Sequence, residues 1–377
     1  MGSNRKLYNA DRKFFYALVQ AGLWGREIQH CSFEKVDYNK IYKLAEEQSV
    51  VGIVAAGIEF VTDVKTPSDA ALLFAGSALQ IESQNKAMNK FLAALVEKMR
   101  AAGIYTLLIK GQGIAQCYER PLWRSCGDVD LLLSNVDYKK ALNYLRPLAT
   151  HVDNEDQYSL HLAMMIEAWE VELHGSLRGG LWKSIDGELD KVQNNIINNG
   201  CSRTWMNGET QIILPRADED IVYVFAHILQ HFYKEGVGLR QICDWCRLIW
   251  TYREKINVVL LEKHLRCMGV MTEWKAFSAF AVEYLGMPID SMPFYNPSRK
   301  WVKKAKIIEE FMLETGNLGH NRDYSYHQKY SYVVYKAISL WKHTKDIIRY
   351  FFVFPMDSTK VCWSMVKEGV TAVFQGK

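Results

Sequence analysis

Two aspartates separated by one residue, Asp128 and Asp130, lie in the run Gly127-Asp128-Val129-Asp130-Leu131-Leu132-Leu133. On a β-strand that spacing puts both carboxylates on one face, roughly 6–7 Å apart at the backbone. From there the side chains can converge on one divalent ion or a close pair of ions. Val129 and Leu131 point to the other face, into a core. In such apolar company at least one of the two acids risks partial burial, and an unpaired buried carboxylate costs several kcal/mol, so the run itself favours a cation. A third acid comes from Trp169-Glu170-Val171-Glu172-Leu173-His174, whose alternation reads as a strand with Glu170, Glu172 and His174 on one side. Placed beside the Asp128 strand, Glu172 completes a three-carboxylate cluster, whereas Glu170 reads as an ordinary solvent-facing residue. Hard oxygen ligands suit Mg2+, with Mn2+ as an alternative, and the ion keeps open positions for substrate phosphates. The chemistry implied is metal-assisted phosphoryl transfer.

These residues need a sheet to hold them. The apolar run Tyr105 to Ile109 reads as a buried strand that leads through the turn Lys110-Gly111-Gln112-Gly113 and a short helix into the Asp128 strand. Ser134-Asn135-Val136-Asp137 is a turn and cap before a helix from Tyr138 to about Leu148. Leu160 to Ile166 is expected to form a hairpin with the Glu172 strand, 181–199 a helix closed by Gly200, and Thr210 to Leu214 a short strand. Before this core the pattern is helical, with stripes at Phe14, Leu18 and Ala21 and from Tyr42 to Phe60. A long helix then starts at Thr66-Pro67-Ser68-Asp69 and ends at Gly103. After it, Asp218, Glu219 and Asp220 load a helix N-terminus with the negative charge that its dipole favours. The fold class is therefore α+β, with an N-terminal helical layer packed on the sheet (1–103), a small mixed-sheet core (104–215) and a helical C-terminal domain (216–377).

The order of the motifs is Leu108-Ile109-Lys110-Gly111, Arg124, the Asp128 run and Val171-Glu172-Leu173-His174, then Ala226 to Phe232 and Leu239 to Trp245. It resembles the uncharacterised nucleotidyltransferase families of the polymerase-β-like superfamily, which are common in bacteria, over roughly residues 40–260. The resemblance implies transfer of a nucleoside monophosphate from an NTP such as ATP to an acceptor hydroxyl or phosphate, with release of pyrophosphate. It implies two Mg2+ ions on Asp128, Asp130 and Glu172, and triphosphate contacts from Lys110, Gly111, Gln112, Gly113 and Arg124. Free backbone N–H groups at a helix start favour an anion, and an arginine can grip phosphate bidentately. For Arg124 a salt bridge to the acidic cluster is the alternative. His174, His227, His231, Arg240 and Asp244 are expected to position substrate, and Arg240 and Asp244 are also spaced to pair with each other on a helix. Where the superfamily usually has Gly-Ser in the turn, this chain has Lys110-Gly111-Gln112-Gly113. That departure motivates a second reading, a non-catalytic nucleotide-binding or scaffold protein on the same fold.

His227 and His231 stand at i and i+4 on one helix, a spacing that also serves a zinc site or a histidine pair packed in the core. Cys243 and Cys246 form a lone Cys-x-x-Cys, read as core packing. The eight cysteines, scattered over 377 residues, fit reduced thiols in a cytoplasm. A net charge of +4 is mild and argues against long nucleic acid as a partner, which leaves a small-molecule or protein acceptor. The first residues carry no apolar signal segment and no apolar stretch is long enough to span a bilayer, so no transmembrane span and a cytoplasmic location are expected. The basic stretch Arg299 to Lys306 reads as a solvated helix face. Tyr330, Val334, Ile338, Trp341 and Ile348 recur at helical intervals, as in a terminal helix packing on its own domain, with a dimer contact or attachment to a membrane surface as the alternative.

Overall fold

The computed structural model describes residues 2–33, 35–234, 236–319, 321, 350, 351, 353–355 and 359. Four helices come first: α1 (Gly2–Trp24), α2 (Tyr38–Glu47), α3 (Val51–Ile58) and α4 (Ser68–Ala101). The apolar pattern from Tyr42 to Phe60 is two helices rather than one, because Ser49 takes a positive φ of 55° and breaks the run. Helix α4 begins behind Pro67, which offers no side-chain cap, and Gly103 at φ 68° ends it.

The central part alternates strands and helices: β1 (Leu107–Ile109), α5 (Gly111–Ala115), β2 (Asp128–Leu132), α6 (Asn135–Leu145), β3 (Ala149–Val152), β4 (His161–Ile166), β5 (Trp169–His174), α7 (Lys183–Ile197), β6 (Ser202–Asn207) and β7 (Thr210–Pro215). Helix α6 starts earlier than its apolar spacing predicts, because the Ser134 hydroxyl accepts the Asp137 N–H at 3.0 Å and caps it. Five strands form one sheet in the order β1-β2-β5-β4-β3, while β6 and β7 form a separate hairpin. Strands β2 and β5 are parallel, with Asp130 opposite Glu172 and Asp128 opposite Glu170. Strands β4 and β5 are antiparallel, with His161 opposite His174 and Ala163 opposite Glu172.

The sheet separates two cores. Val129, Leu131, Val171 and Leu173 point to one that Met88, Phe91, Leu92 and Leu95 of α4 and Tyr138 and Leu145 of α6 complete. The opposite face, which carries Asp128, Asp130, Glu172 and His174, looks toward the helices that follow: α8 (Ala217–Lys234), α9 (Leu239–Tyr252), α10 (Val258–Met268), α11 (Met271–Glu283) and α12 (Arg299–Thr315). These share their core with α1–α3, through Phe14, Phe15 and Leu18 on one side and Phe225, Trp245, Trp274 and Phe277 on the other. The first three helices thus join the C-terminal helices in one core, and α4 alone of the N-terminal helices supplies the sheet core. Each fully buried aromatic ring contributes about 3 kcal/mol of transfer free energy, so this joint core is a stiff wall for the charged sheet face.

Cys243 and Cys246 are buried in that core, and all the described cysteines are free thiols. The basic start of α12 is a largely exposed face, with the Lys300 ammonium over the Trp301 ring. The terminal helix expected from Tyr330 to Ile348 lies outside the described residues, although Tyr350 is buried and its hydroxyl donates to the Phe232 carbonyl at 2.7 Å. No helix among the described residues is long and apolar enough to cross a membrane.

Candidate active site

Period-two alternation on two neighbouring strands brings the three acids together. Asp128, Asp130 and Glu172 each place a carboxylate oxygen within 4.8 Å of the others, in a cleft of about 370 Å3 between the sheet and helices α8 and α9. Asp130 is 1 % exposed. Its parallel pairing with Glu172 fixes the juxtaposition, since parallel strands in register hold paired side chains on the same face. Glu170, one pair further along, is exposed and does not line the cleft.

Lys110 is the resident cation. It follows β1 with φ 55°, and Gly111 continues the turn at φ 42°, a sharp reversal that α5 then stabilises. A non-glycine residue in that region is strained, and such strain gathers at functional sites. The Lys110 ammonium lies 2.6 Å from an Asp130 oxygen. Burial pushes the lysine toward its neutral form, but Asp130, Tyr223, Glu172 and Asp128 more than reverse this, and it is held protonated well above the usual lysine range. Asp130 is raised, because burial and the neighbouring Asp128 and Glu172 outweigh Lys110 and the His174 bond. Three carboxylates against one ammonium leave the cluster electronegative, and its donor atoms are hard oxygens. The residues fit one or more Mg2+ ions.

Two histidines complete the face. His174 Nε2 is 2.9 Å from Asp130 Oδ1 and 3.4 Å from Glu172 Oε2, and His161 Nε2 is 3.1 Å from the same Glu172 oxygen. Burial disfavours charge on His174, yet its bonds to Asp130 and Glu172 prevail and raise its pKa. Burial raises Glu172 in turn, and the two histidine bonds and Lys110 pull it far below the usual carboxylate range. His161 was not among the residues expected here. With a two-residue turn at Glu167-Ala168 joining β4 and β5, counting back along the hairpin places it opposite His174.

Of the residues expected to meet phosphate, Lys110, Gly111 and Arg124 line the cleft. The Gln112 side chain is buried against α4, donating to Asn85 Oδ1 at 2.9 Å. Gly113 packs on β7, where a Cβ would meet Leu214 at 2.8 Å, so this glycine is needed for packing. Arg124 lines the cleft but pairs with Asp244 rather than with the acidic cluster. Its Nε and Nη2 donate to Asp244 at 3.0 and 2.6 Å, a bidentate pair in which both side chains are 5 % exposed. Asp244 also accepts the Tyr118 hydroxyl at 2.8 Å. The expected Arg240–Asp244 pairing is therefore replaced by a link between α9 and the loop before β2. Arg240 instead donates through Nη1 to the Ser125 carbonyl at 2.7 Å and lines the cleft, with its Nε buried and unbonded.

His227 and His231 also line the cleft, with Nε2 atoms 2.9 Å apart, so one ring donates to the other. Burial, then Lys110, His231 and His174, hold His227 well below the ordinary histidine pKa and hence neutral. Among the described residues no third histidine, cysteine or carboxylate joins them within metal-binding range, which disfavours the zinc reading of this pair.

The crystal structure of an antigenic nucleotidyltransferase-like protein from Paracoccidioides brasiliensis is similar over 55 % of this chain and 96 % of its own, with a TM-score of 0.32 and 12 % sequence identity. At that level it carries no argument about the site. No curated protein matches the chain. Residues 34–286, well over half of the sequence and spanning every site residue above, match the family described as "Uncharacterised nucleotidyltransferase", and the chain belongs to that family.

Proposed function

We propose that this protein is a nucleotidyltransferase that moves a nucleoside monophosphate from an NTP to an acceptor hydroxyl or phosphate, with Mg2+ as the metal and pyrophosphate as the leaving group. The observation that carries the reading is the convergence of Asp128, Asp130 and Glu172 on one cleft from two strands in parallel register. Bound Mg2+ would offset negative charge on the phosphates and lower the pKa of the attacking oxygen. The acceptor oxygen forms its bond to the α-phosphorus as the bond to the α,β-bridging oxygen breaks, the electron pair leaves with pyrophosphate, and the proton of a hydroxyl acceptor passes to solvent. In this chain Glu172, held by two histidines, orients the acceptor. Lys110, close to the acids, and Arg240, on the opposite wall, stabilise charge that grows on the leaving group. Arg124 acts at one remove, because its pair with Asp244 fixes the loop that leads into β2.

The test is pyrophosphate release from each NTP with Mg2+ or Mn2+ in the presence of a metabolite pool. The expected result is turnover that Asp130→Asn abolishes while its melting curve stays cooperative. Equal turnover in that variant removes Asp130 from catalysis.

One observation favours the non-catalytic alternative. Lys110 already bonds Asp130, so a lysine fixed there would compete with a metal ion. Calorimetry decides between them: NTP binding that needs no Mg2+ and yields no pyrophosphate supports the binding protein.

A further inference from the structure

We infer that His161, Glu172 and His174 form a second, chemically different metal site, one for a borderline divalent ion of the Zn2+ or Co2+ class, beside the hard-oxygen site and sharing Glu172 with it. The donor set is two imidazole nitrogens and a carboxylate oxygen, which suits ions softer than Mg2+. Their spacing fits one ion. Donors bound at about 2.0–2.1 Å stand roughly 3.0–3.4 Å from one another in octahedral or tetrahedral arrangements. Here Glu172 Oε2 is 3.1 Å from His161 Nε2 and 3.4 Å from His174 Nε2, and donor atoms of all three residues lie within 4.8 Å of one another.

The backbone holds this triad firmly. His161 and His174 are cross-strand partners at the open end of the β4–β5 hairpin, with their rings 4.7 Å apart. Ala163, opposite Glu172, has only a methyl group and leaves the space beside the carboxylate open. His161 is about a third exposed at the cleft, so an ion has a route in. Three protein ligands leave a position free, as catalytic rather than structural sites do.

The site stands on its own donors, and its use depends on the nucleotidyltransfer reading. There the ion would take the acceptor oxygen, next to the triphosphate on Asp128 and Asp130. Such a position selects acceptors that ligate a borderline metal through oxygen, an alcohol or a phosphate, over amides.

The experiment is Co2+ titration of the metal-free full-length protein, read by visible absorption, alongside pyrophosphate release with Mg2+. Wild type is expected to bind one Co2+ with d–d bands of a nitrogen-containing site, and Zn2+ to displace it. His161→Ala, and His161→Gln as a second variant, are expected to weaken Co2+ by more than about tenfold, with circular dichroism unchanged. Glu170→Gln, next on the strand, is expected to leave the bands intact. Absence of the bands in wild type, or equal affinity in both folded His161 variants, overturns the site. Pyrophosphate release without Co2+ bands leaves the transferase reading intact while the second site fails. Bands without release under any NTP do the reverse.

Discussion

The sheet face and the helical wall opposite it both line the cleft, yet they treat their polar groups differently. On the sheet, Asp128, Asp130, Glu172, His161 and His174 are stacked by strand register into one cluster dominated by negative charge, with Lys110 the only cation among the described residues bonded to it from outside the strands. On the wall, polar groups are held in pairs: Asp244 holds Arg124 and Tyr118, His231 bonds His227, and Arg240 reaches a carbonyl. Concentrated like charge is costly without a cation, whereas paired groups are satisfied as they stand. On the proposed reading the sheet carries the reactive atoms, and the wall supplies a frame with two or three groups left to touch substrate.

The largest effect expected from that contrast lies within one strand pairing. Asp128 and Glu170 are direct partners on the same face, but only Asp128 belongs to the cluster. Asp128→Asn should lower nucleotidyl transfer by about 10³-fold or more, the range found when one group stabilising transition-state charge is removed. Glu170→Gln should stay within about twofold. Comparable losses in both, measured by pyrophosphate release, would mean that the face acts through bulk charge rather than through placed ligands.

Frame and contact separate on the wall itself. Arg124→Ala leaves Asp244 buried without its guanidinium and should cost about 3–5 kcal/mol of stability. The double variant with Asp244→Ala should cost clearly less than the two single variants added together. Arg240→Ala should barely move the denaturation midpoint and instead weaken NTP binding by roughly tenfold, about 1.4 kcal/mol. The reverse pattern, a stable Arg124→Ala protein that fails to bind nucleotide, would return Arg124 to the phosphate-binding set. Lys110→Met tests the boundary between the two regions. It should tighten Mn2+ binding to the carboxylates several-fold, because a competing cation is gone, and weaken NTP binding.

The same contrast explains which parts of the molecule were legible in the sequence. The three acids could be placed because strand periodicity is local: two residues on, same face. The β4–β5 hairpin was legible too, but His161 was missed, although its register opposite His174 follows from the hairpin once the turn length is known. Strand β6 was not, since Ser202 to Asn207 alternates between exposed and half-exposed positions and buries no face that would mark a strand. The Arg124–Asp244 pair joins residues 120 apart in sequence, and no local pattern announces such a contact. The expected Arg240–Asp244 pair failed for that reason: helical spacing permits it, but a bidentate partner from another element holds Asp244 more firmly. Gln112 belongs to the expected phosphate turn through its backbone N–H, and no local pattern announces that its side chain packs into the α4 interface.

The smallest predicted effect concerns the wall histidines and has a definite sign. His227 is held neutral in the folded protein, by burial first and then by Lys110 and His231. Its ordinary value is 6.5, so below that pH the unfolded chain takes up a proton that the folded chain refuses. Stability from this group is fully present above that pH and falls as pH is lowered through it, with a slope of at most about 1.4 kcal/mol per pH unit. The Nε2–Nε2 bond to His231 works in the same direction, because it needs a lone pair on one ring that a second proton would occupy. Melting temperatures from pH 8 to pH 5 should therefore decline more steeply for wild type than for His227→Gln. An identical slope in that variant would show that His227 accepts its proton in the folded state, and the neighbouring Lys110 charge would then have to lie further from the wall than its bond to Asp130 places it.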